Sequence, residues 1–163
     1  MHNEEIFLEE LILIGTFVRT NNKNEMNTET AKIAKHFHTY FNNKVADNFK
    51  DRCFPNVTYS IYTEYENNEN GDYTHFIGEL VTSFEKQDQS QFKKLVIPAS
   101  KYKKFTTTEG KLSDIVIGAW QQIWKLNSAD LGGKRTYIAD FEVYDQKARN
   151  PDSAVVDIFI GIK

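Results

Sequence analysis

Two segments of the chain place a carboxylate two residues away from a tyrosine. Tyr62 precedes Glu64, and Glu142 precedes Tyr144. Side chains two residues apart on a β-strand point to the same face, so each segment would present a ring beside an acid if it forms a strand. A cation over an aromatic face gains about 0.5 to 2 kcal/mol, and a nearby carboxylate adds charge complementarity. The same pair of groups could act as general base and general acid in a hydrolysis.

The first half of the sequence predicts the elements that position Tyr62 and Glu64. Apolar and β-branched residues predict a strand over Leu11–Thr20, and Ile33, Phe37 and Phe41 recur at helical spacing after Thr28 or Thr30 as the N-cap. A hairpin of strands Val57–Tyr65 and Tyr73–Thr82 follows, with a turn around Asn70-Gly71.

The same order of signals returns in the second half. A strand over Leu95–Phe105 precedes a helix that carries Trp120 and Trp124, and strands Arg135–Tyr144 and Val155–Ile162 complete the chain. Pro98 suggests an edge position or a bulge in the first of these strands. We therefore predict an α+β fold, in which two strand–helix–strand–strand modules form an antiparallel sheet with the helices on one face. Residues 1–163 should form one domain with similar halves, about 9–83 and 93–163.

The parity of the predicted strands assigns residues to faces. The sequence Phe-Ile-Gly occurs at Phe76–Gly78 and again at Phe159–Gly161, which suggests that the two phenylalanines occupy equivalent positions. With Phe141 taken as a core residue beneath the helices, the face away from the helices collects six residues: Tyr62, Glu64, Phe76, Glu142, Tyr144 and Phe159. A glycine within a strand marks either the close approach of a ligand or backbone, or a bulge. Glu142 could also be an ordinary solvated strand residue.

Composition excludes several classes of function. The 163 residues carry a net charge of −3, which disfavours direct binding to nucleic acid. The single cysteine, Cys53, excludes an internal disulfide, and no apolar run is long enough for a membrane span. The acidic N-terminus does not resemble a secretory signal, so we expect a cytoplasmic location and no membrane contact. His36 and His38, two apart on a predicted helix, would point in different directions, so we predict no metal and no cofactor.

Six segments in chain order carry a resemblance to a known family: Ile61–Glu66 with Gly71–Thr74, Phe76–Glu79, Pro98–Tyr102, Ala119–Trp124, Ala139–Tyr144 and Val156–Lys163. The chain resembles the bacterial GyrI-like small-molecule-binding, or effector-binding, domain. Because strand signals begin by residue 11, we expect the stand-alone form rather than a fusion to a DNA-binding segment. Ser100 departs from the glycine that relatives often carry at this point.

The resemblance implies a ligand groove between the two modules. In the family, a glutamate with aromatic neighbours engages cationic or amphipathic ligands. The resemblance transfers this role to Glu142 and Tyr144, with Tyr62, Phe76 and Trp120 beside them. Parity adds Phe159 and Glu64 to the predicted ligand-binding residues. Trp120 could instead belong, with Trp124, to the core stripe of its helix.

Three functions remain open from the sequence. The first hypothesis is a stand-alone protein that binds a lipophilic or cationic small molecule without catalysis, as a sequestering protein or as a ligand sensor that acts through a partner regulator. The second is a hydrolase of electrophilic small molecules that uses the groove glutamate and tyrosine. The third is a protein that interacts with gyrase, as the family name implies for some members.

Overall fold

The computed structural model describes residues 1–163 and contains one antiparallel sheet of eight strands. The strands are β1 (His2–Leu8), β2 (Leu11–Thr20), β3 (Thr58–Thr63), β4 (Tyr73–Leu80), β5 (Lys93–Ile97), β6 (Ser100–Thr106), β7 (Arg135–Tyr144) and β8 (Asp157–Ile162). Their order in the sheet is β1-β6-β8-β7-β3-β4-β2-β5. The predicted α+β class and antiparallel sheet are confirmed.

Two longer helices and two short ones accompany the sheet: α1 (Asn22–Glu25), α2 (Ile33–Asn42), α3 (Leu112–Ile123) and α4 (Ser128–Leu131). The prediction that Thr28 or Thr30 caps α2 was wrong. The carboxylate of Glu25 accepts the backbone N–H groups of Lys32 and Ile33 at 2.9 and 3.0 Å instead. An acid from the preceding helix therefore satisfies the first donors of α2. None of the four helices has both the length and the apolar character needed to cross a membrane.

Sequence patterns located most strands closely but missed one. The predicted bounds of β2 and β7 match the structure, whereas the single strand predicted over Leu95–Phe105 is two strands, β5 and β6, separated at Pro98 and Ala99. β1 was not predicted, because its Glu4 and Glu5 interrupt an apolar pattern. It pairs with β6, where Lys101 and Lys104 form ion pairs with these two acids.

Two short connections force the sheet to roll. β1 and β2 are six strand positions apart, which in a flat sheet is about 29 Å. Only Glu9 and Glu10 join them, and a chain spans at most about 11 Å from Leu8 to Leu11. β5 and β6, also six positions apart, are joined by Pro98 and Ala99 alone. The sheet must therefore curl until its two edges approach each other.

Rolling gives the sheet an inner and an outer face. The inner face has no helix over it, yet its side chains form a buried cluster that spans both edges of the sheet: Leu13, Ile61, Phe76, Leu95, Ile97, Tyr102, Ala139, Phe141 and Phe159. The outer face is covered by α2 over Ile14 and Ile77, and by α3 over Ile158 and Ile160. The helices thus lie on one face, as predicted, and the helix-free face is the packed interior of the roll.

Gly15 and Gly78 allow one large ring to lie inside the roll. They are directly opposed on β2 and β4. A Cβ atom at either position would come within 2.8 Å of the Phe76 ring, and at Gly78 it would also clash with the carbonyl oxygen of Ile14. Of the two interpretations of a strand glycine, close approach by a neighbouring backbone and ring accounts for Gly78.

Candidate ligand-binding site

Glu142 lies near the centre of the outer face, where the two middle strands of the sheet meet. Its cross-strand neighbours are Ser60 on β3 and Ile158 on β8. Only 2% of the residue is exposed. Its Oε1 accepts the hydroxyl of Tyr144 at 3.0 Å, whereas its Oε2 is buried and has no hydrogen-bond partner. A buried carboxylate oxygen without a partner is costly, so this atom marks a place where a ligand could supply what the protein does not.

Aromatic rings from five elements pack together beside this carboxylate. Tyr62 on β3 lies 5.5 Å from Trp120 on α3 and 5.2 Å from His75 on β4, measured between ring centroids. Phe37 on α2 lies 5.3 Å from His75 and 5.9 Å from Tyr144. We call these five residues, together with Glu142, the aromatic cluster. The aromatic cluster lies between α2 and α3, above the β3–β7 pair.

The aromatic cluster holds a second unpartnered polar atom. The indole nitrogen of Trp120 is buried and has no hydrogen-bond partner with normal geometry, although it and the Tyr62 hydroxyl lie close enough to Glu142 to favour its ionised form. Burial raises the pKa of Glu142 to about 7, while the neighbouring polar groups of Tyr144, Trp120 and Tyr62 act in the opposite direction. Glu142 can therefore gain or lose its proton near neutral pH, which a solvated glutamate does not do.

The tyrosines of the cluster stay protonated. Burial, followed by the nearby carboxylate of Glu142, raises the pKa of Tyr62 and of Tyr144 well above the ordinary value of 10. Their hydroxyls therefore remain hydrogen-bond donors under all ordinary conditions, and the only cluster group that changes charge near pH 7 is the glutamate.

Exposed rings extend the cluster to the surface. Phe41, one turn along α2, stacks on Phe37 with a centroid distance of 6.3 Å. Trp124, one turn along α3, lies 6.2 Å from Trp120 and is 65% exposed. Exposed rings on both helices thus adjoin the aromatic cluster.

The structure brings together four of the seven predicted ligand-binding residues. Glu142, Tyr144, Tyr62 and Trp120 belong to the aromatic cluster. Trp120 is half-buried beside the site, whereas Trp124 forms its exposed rim.

Phe76, Phe159 and Glu64 lie elsewhere. Phe76 and Phe159 are buried in the inner-face cluster. Glu64 follows the end of β3 with a positive φ of 51°, and its exposed carboxylate pairs with Lys93 at 3.4 Å. The structure does not place these three beside Glu142.

The expectation that one face away from the helices carries all six strand residues was wrong. Glu142 pairs with Ile158 across β7–β8, and Phe141 pairs with Phe159, so Glu142 shares the helix-covered face with Ile158. Alternation within β7 was correct, but the face that turns toward the helices was not. Both faces of β7 are buried, since the inner face is the interior of the roll, and burial on both sides leaves no hydrophobic contrast to identify the helix side.

Sequence reasoning missed Phe37, His75 and Ser60 as neighbours of the site. Phe37 was interpreted as an ordinary core residue of its helix, and it does pack beneath α2 as well. The sequence does carry a signal for His75, since a histidine between Thr74 and Phe76 in an apolar strand indicates a buried polar contact.

A second buried carboxylate lies two residues from Glu142 on the same strand. Asp140 accepts hydrogen bonds from Arg135 at 2.6 Å, from the Tyr65 hydroxyl at 2.7 Å and from the backbone N–H of Gly161 at 2.9 Å. Both its oxygens are used. No three His, Cys, Asp or Glu side chains come together as metal ligands would, so the chemistry available at the aromatic cluster is that of one acid and its rings.

Comparison with protein families gives one match over nearly the whole chain. The model described as "Cass2: Integron-associated effector binding protein" matches residues 7–162. A curated relative from Bacillus subtilis (strain 168), named "Putative transcriptional regulator protein YobU", is 36% identical over 107 residues. That alignment covers 64% of this chain and 62% of YobU, so the similarity spans about three-fifths of the relative's length.

Solved structures share the fold over the full chain. The integron cassette protein VCH_CASS2 from the mobile metagenome of Vibrio cholerae superposes with a TM-score of 0.75 at 26% identity, covering 99% of this chain and 95% of that one. The structure of SAV2435 bound to tetraphenylphosphonium superposes with a TM-score of 0.76 at 16% identity, covering 100% and 94% of the two chains.

Proposed function

The chain belongs to the Cass2 family of integron-associated effector-binding proteins, and from this premise we propose that it binds a lipophilic organic cation at Glu142. Effector binding is the property that describes the family. The finer assignment, a cation held by the aromatic cluster, rests on the chemistry of the site.

The unpartnered Oε2 of Glu142 carries this proposal. The carboxylate is buried, its other oxygen is used by Tyr144, and none of the ion pairs in the structure includes it. A neutral ligand would leave the ionised carboxylate uncompensated, whereas a cation supplies the missing charge. The rings of Tyr62, Trp120 and Phe37 offer faces and edges over which a delocalised cation gains further energy.

The proposed ligand is aromatic and larger than a simple ammonium ion. Phe41 and Trp124 continue the apolar surface outward from the cluster, so a compound with several rings would bury more area than a compact cation. Tetraphenylphosphonium is the first probe to use, because it is bound to a protein of the same fold, SAV2435.

Binding of tetraphenylphosphonium, measured by isothermal titration calorimetry or by fluorescence of Trp120 and Trp124, tests the proposal. Replacing Glu142 with Gln should weaken binding at least about thirtyfold at pH 8, since loss of one partner of a buried charge pair costs about 2 kcal/mol or more. Triphenylphosphine oxide, a neutral compound with similar rings, should bind Glu142→Gln about as well as wild type.

Glu64→Gln is the matched control, since it removes an acid that lies outside the cluster. Equal losses for the cation and the neutral compound in Glu142→Gln would show that the glutamate is not a charge partner. Absence of any tetraphenylphosphonium binding to the wild type would contradict the proposed ligand class.

We also propose that ligand binding serves as a signal to a regulator. Support comes from the name of YobU, a relative that this chain matches over part of its length. Transcript profiles of cells with and without the gene, exposed to tetraphenylphosphonium, test this role. Ligand-dependent transcripts that change only when the gene is present support a sensor. Unchanged transcripts with increased sensitivity to the compound would indicate sequestration instead. No observation favours the hydrolase or gyrase-interacting alternatives.

A further inference from the structure

A chain of hydrogen bonds runs between α2 and the sheet. Thr16 Oγ1 lies 2.9 Å from His36 Nε2, His36 Nδ1 lies 2.9 Å from His75 Nδ1, and His75 Nε2 lies 2.8 Å from Ser60 Oγ. Three of the four residues, His36, His75 and Ser60, are buried. Burial holds both imidazoles neutral, since it lowers the pKa of His36 to about 4 and that of His75 well below 6.5.

The inner end of this chain reaches the ligand site. Ser60 is the direct cross-strand partner of Glu142, and such side chains have Cβ atoms about 4.5 to 5.5 Å apart on the same face. The structure shows no hydrogen bond between Ser60 and Glu142, so a proton transfer between them requires the Ser60 hydroxyl and the carboxylate to rotate toward each other. His75 also contacts Phe37 and Tyr62 of the aromatic cluster.

The outer end of the chain reaches a different part of the surface. Thr16 and His36 line a cleft of ≈ 650 Å³ between β2 and α2, whose walls also include Lys32, Lys35 and Thr39. Glu142 does not line this cleft. The outer end of the chain therefore lies in a cleft that is separate from the surroundings of Glu142.

The contact between the two Nδ1 atoms permits only two arrangements of protons. Two neutral rings must place one hydrogen between them, because two lone pairs or two N–H groups would repel. In the first arrangement His36 donates from Nδ1 to His75, His75 donates from Nε2 to Ser60, and Thr16 donates to His36 Nε2. The Ser60 hydroxyl hydrogen is then free to bond to an ionised Glu142.

The second arrangement reverses every donor. Ser60 donates to His75 Nε2, His75 donates from Nδ1 to His36, and His36 donates from Nε2 to Thr16. Ser60 then presents only lone pairs to Glu142, which suits a protonated carboxyl that donates to it. The two arrangements therefore match the two charge states of Glu142.

We propose that the chain Thr16–His36–His75–Ser60 is a proton wire through which Glu142 releases its proton to the β2–α2 cleft when a cation binds. The Glu142 proton moves to Ser60, the Ser60 proton to His75 Nε2, and the His75 Nδ1 proton to His36 Nδ1. The His36 Nε2 proton then moves to Thr16, and the Thr16 proton to water in the cleft. Each group ends with the number of protons it had, except that Glu142 is ionised and one proton has left.

Proton release on ligand binding rests on the proposed cation binding, whereas the hydrogen-bond chain itself is present without a ligand. A multi-ring cation would occupy the entrance between α2 and α3, so a separate route for the displaced proton avoids moving it past the ligand. The titratable and charged groups that face Glu142 or the wire come from the surrounding elements. They are Arg19 on β2, Glu25 on α1, Lys32 at the start of α2, Lys35, His36 and Tyr40 on α2, Tyr62 on β3, Tyr73 and His75 on β4, and Asp140, Tyr144 and Arg135 on β7. Burial raises the pKa of Glu142 to about 7, so its charge changes between pH 6 and pH 8.

Histidine ¹⁵N chemical shifts distinguish the two tautomers and therefore test the wire directly. In ligand-free protein at pH 6, His36 should carry its proton on Nε2 and His75 on Nδ1. Addition of tetraphenylphosphonium at pH 6, or raising ligand-free protein to pH 8, should move the His36 proton to Nδ1 and the His75 proton to Nε2. His38, whose imidazole bonds only to Asn42 on the exposed side of α2, is the internal reference and should not respond to the ligand.

Two variants separate a wire from a structural contact. In Glu142→Gln the tautomers should not change between pH 6 and pH 8. In Ser60→Ala the tautomer response to ligand should disappear, while affinity for tetraphenylphosphonium falls by about fivefold or less, the cost of one hydrogen bond.

Each outcome decides one of the two proposals. Unchanged tautomers in wild type that binds the cation would overturn the wire and leave the proposed function standing. Tautomers that switch with pH in wild type but not in Glu142→Gln support the wire even if tetraphenylphosphonium fails to bind. A switch that persists in Ser60→Ala would also overturn the proposal.

Discussion

Asp140 and Glu142 are two buried carboxylates on one face of one strand, and their surroundings differ in kind. Asp140 is fully buried but has a guanidinium, a tyrosine hydroxyl and a backbone N–H as partners. Glu142 is 2% exposed and has one tyrosine hydroxyl, with its second oxygen unpartnered. Residue type, strand position and burial are almost the same, so the difference lies in what each oxygen contacts.

The comparison separates a structural acid from a site acid. Asp140 ties the β7 bulge between Arg135 and Asp140 to β8 through Gly161, and each of its two oxygens accepts at least one hydrogen bond. Glu142 is held in place on one side only. A fold tolerates such a cost where function needs the group, which is why the unpartnered oxygen is the stronger sign of a ligand site than burial alone.

The largest effect is expected for Asp140→Asn. The substitution leaves the positive charge of Arg135 without its buried partner, and breaking such a pair costs about 3–5 kcal/mol of unfolding free energy. Urea denaturation at pH 7 measures the loss. A variant as stable as wild type would mean that Arg135 finds another partner or solvent, and the contrast with Glu142 would be lost.

Glu142→Gln should instead change how stability depends on pH. Burial raises the pKa of Glu142 from 4.5 to about 7, so the folded state favours the neutral acid. The stability that the folded protein gains from holding Glu142 neutral is fully present below pH 4.5 and is lost as pH rises through about 7. The free energy of unfolding of the wild type should therefore fall by about 3 kcal/mol between pH 4.5 and about 7, relative to that of Glu142→Gln.

Denaturant unfolding of wild type and Glu142→Gln at pH 4, 6 and 8 gives the difference in unfolding free energy between the two proteins at each pH. Because both proteins share all other titratable groups, the pH dependence of this difference reports on Glu142. The difference should shift in favour of the variant as pH rises. A difference that stays constant would show that the carboxylate is solvated when ionised, and would remove the main distinction from an ordinary surface acid.

The smallest effect is expected for Glu64→Gln. Its carboxylate is exposed and pairs with Lys93 on the surface, and such pairs contribute about 0.5 kcal/mol or less. In urea denaturation the free energy of unfolding should stay within about 0.5 kcal/mol of wild type. In calorimetry the dissociation constant for tetraphenylphosphonium should stay within about twofold of wild type. A large loss of cation affinity would place Glu64 back among the ligand-binding residues, where strand parity first put it.

The sequence was sufficient for the elements and for their arrangement into an α+β sheet. Local signals decide these features, since β-branched runs such as Leu11–Thr20 and the four-residue spacing of Ile33, Phe37 and Phe41 act within a few residues. β1 escaped prediction because its apolar pattern is interrupted by two acids and because the strand it pairs with, β6, lies more than ninety residues away in the sequence. The two similar halves, 9–83 and 93–163, stay a prediction, although β2-β4-β3 and β6-β8-β7 occur in mirrored order in the sheet.

For the site, the sequence by itself determined that a glutamate and tyrosines share strand faces, and the family resemblance pointed to Glu142 and Tyr144. Only the tertiary structure decided which face receives the helices. Side chains alternate along every strand, so residues two apart, such as Glu142 and Tyr144, must share a face. Where both faces are buried, however, alternation does not show which face contacts Trp120 and Phe37 on the helices. That choice is made by the rolling of the sheet, which turns Phe76 and Phe159 inward and leaves Glu142 beneath the helices.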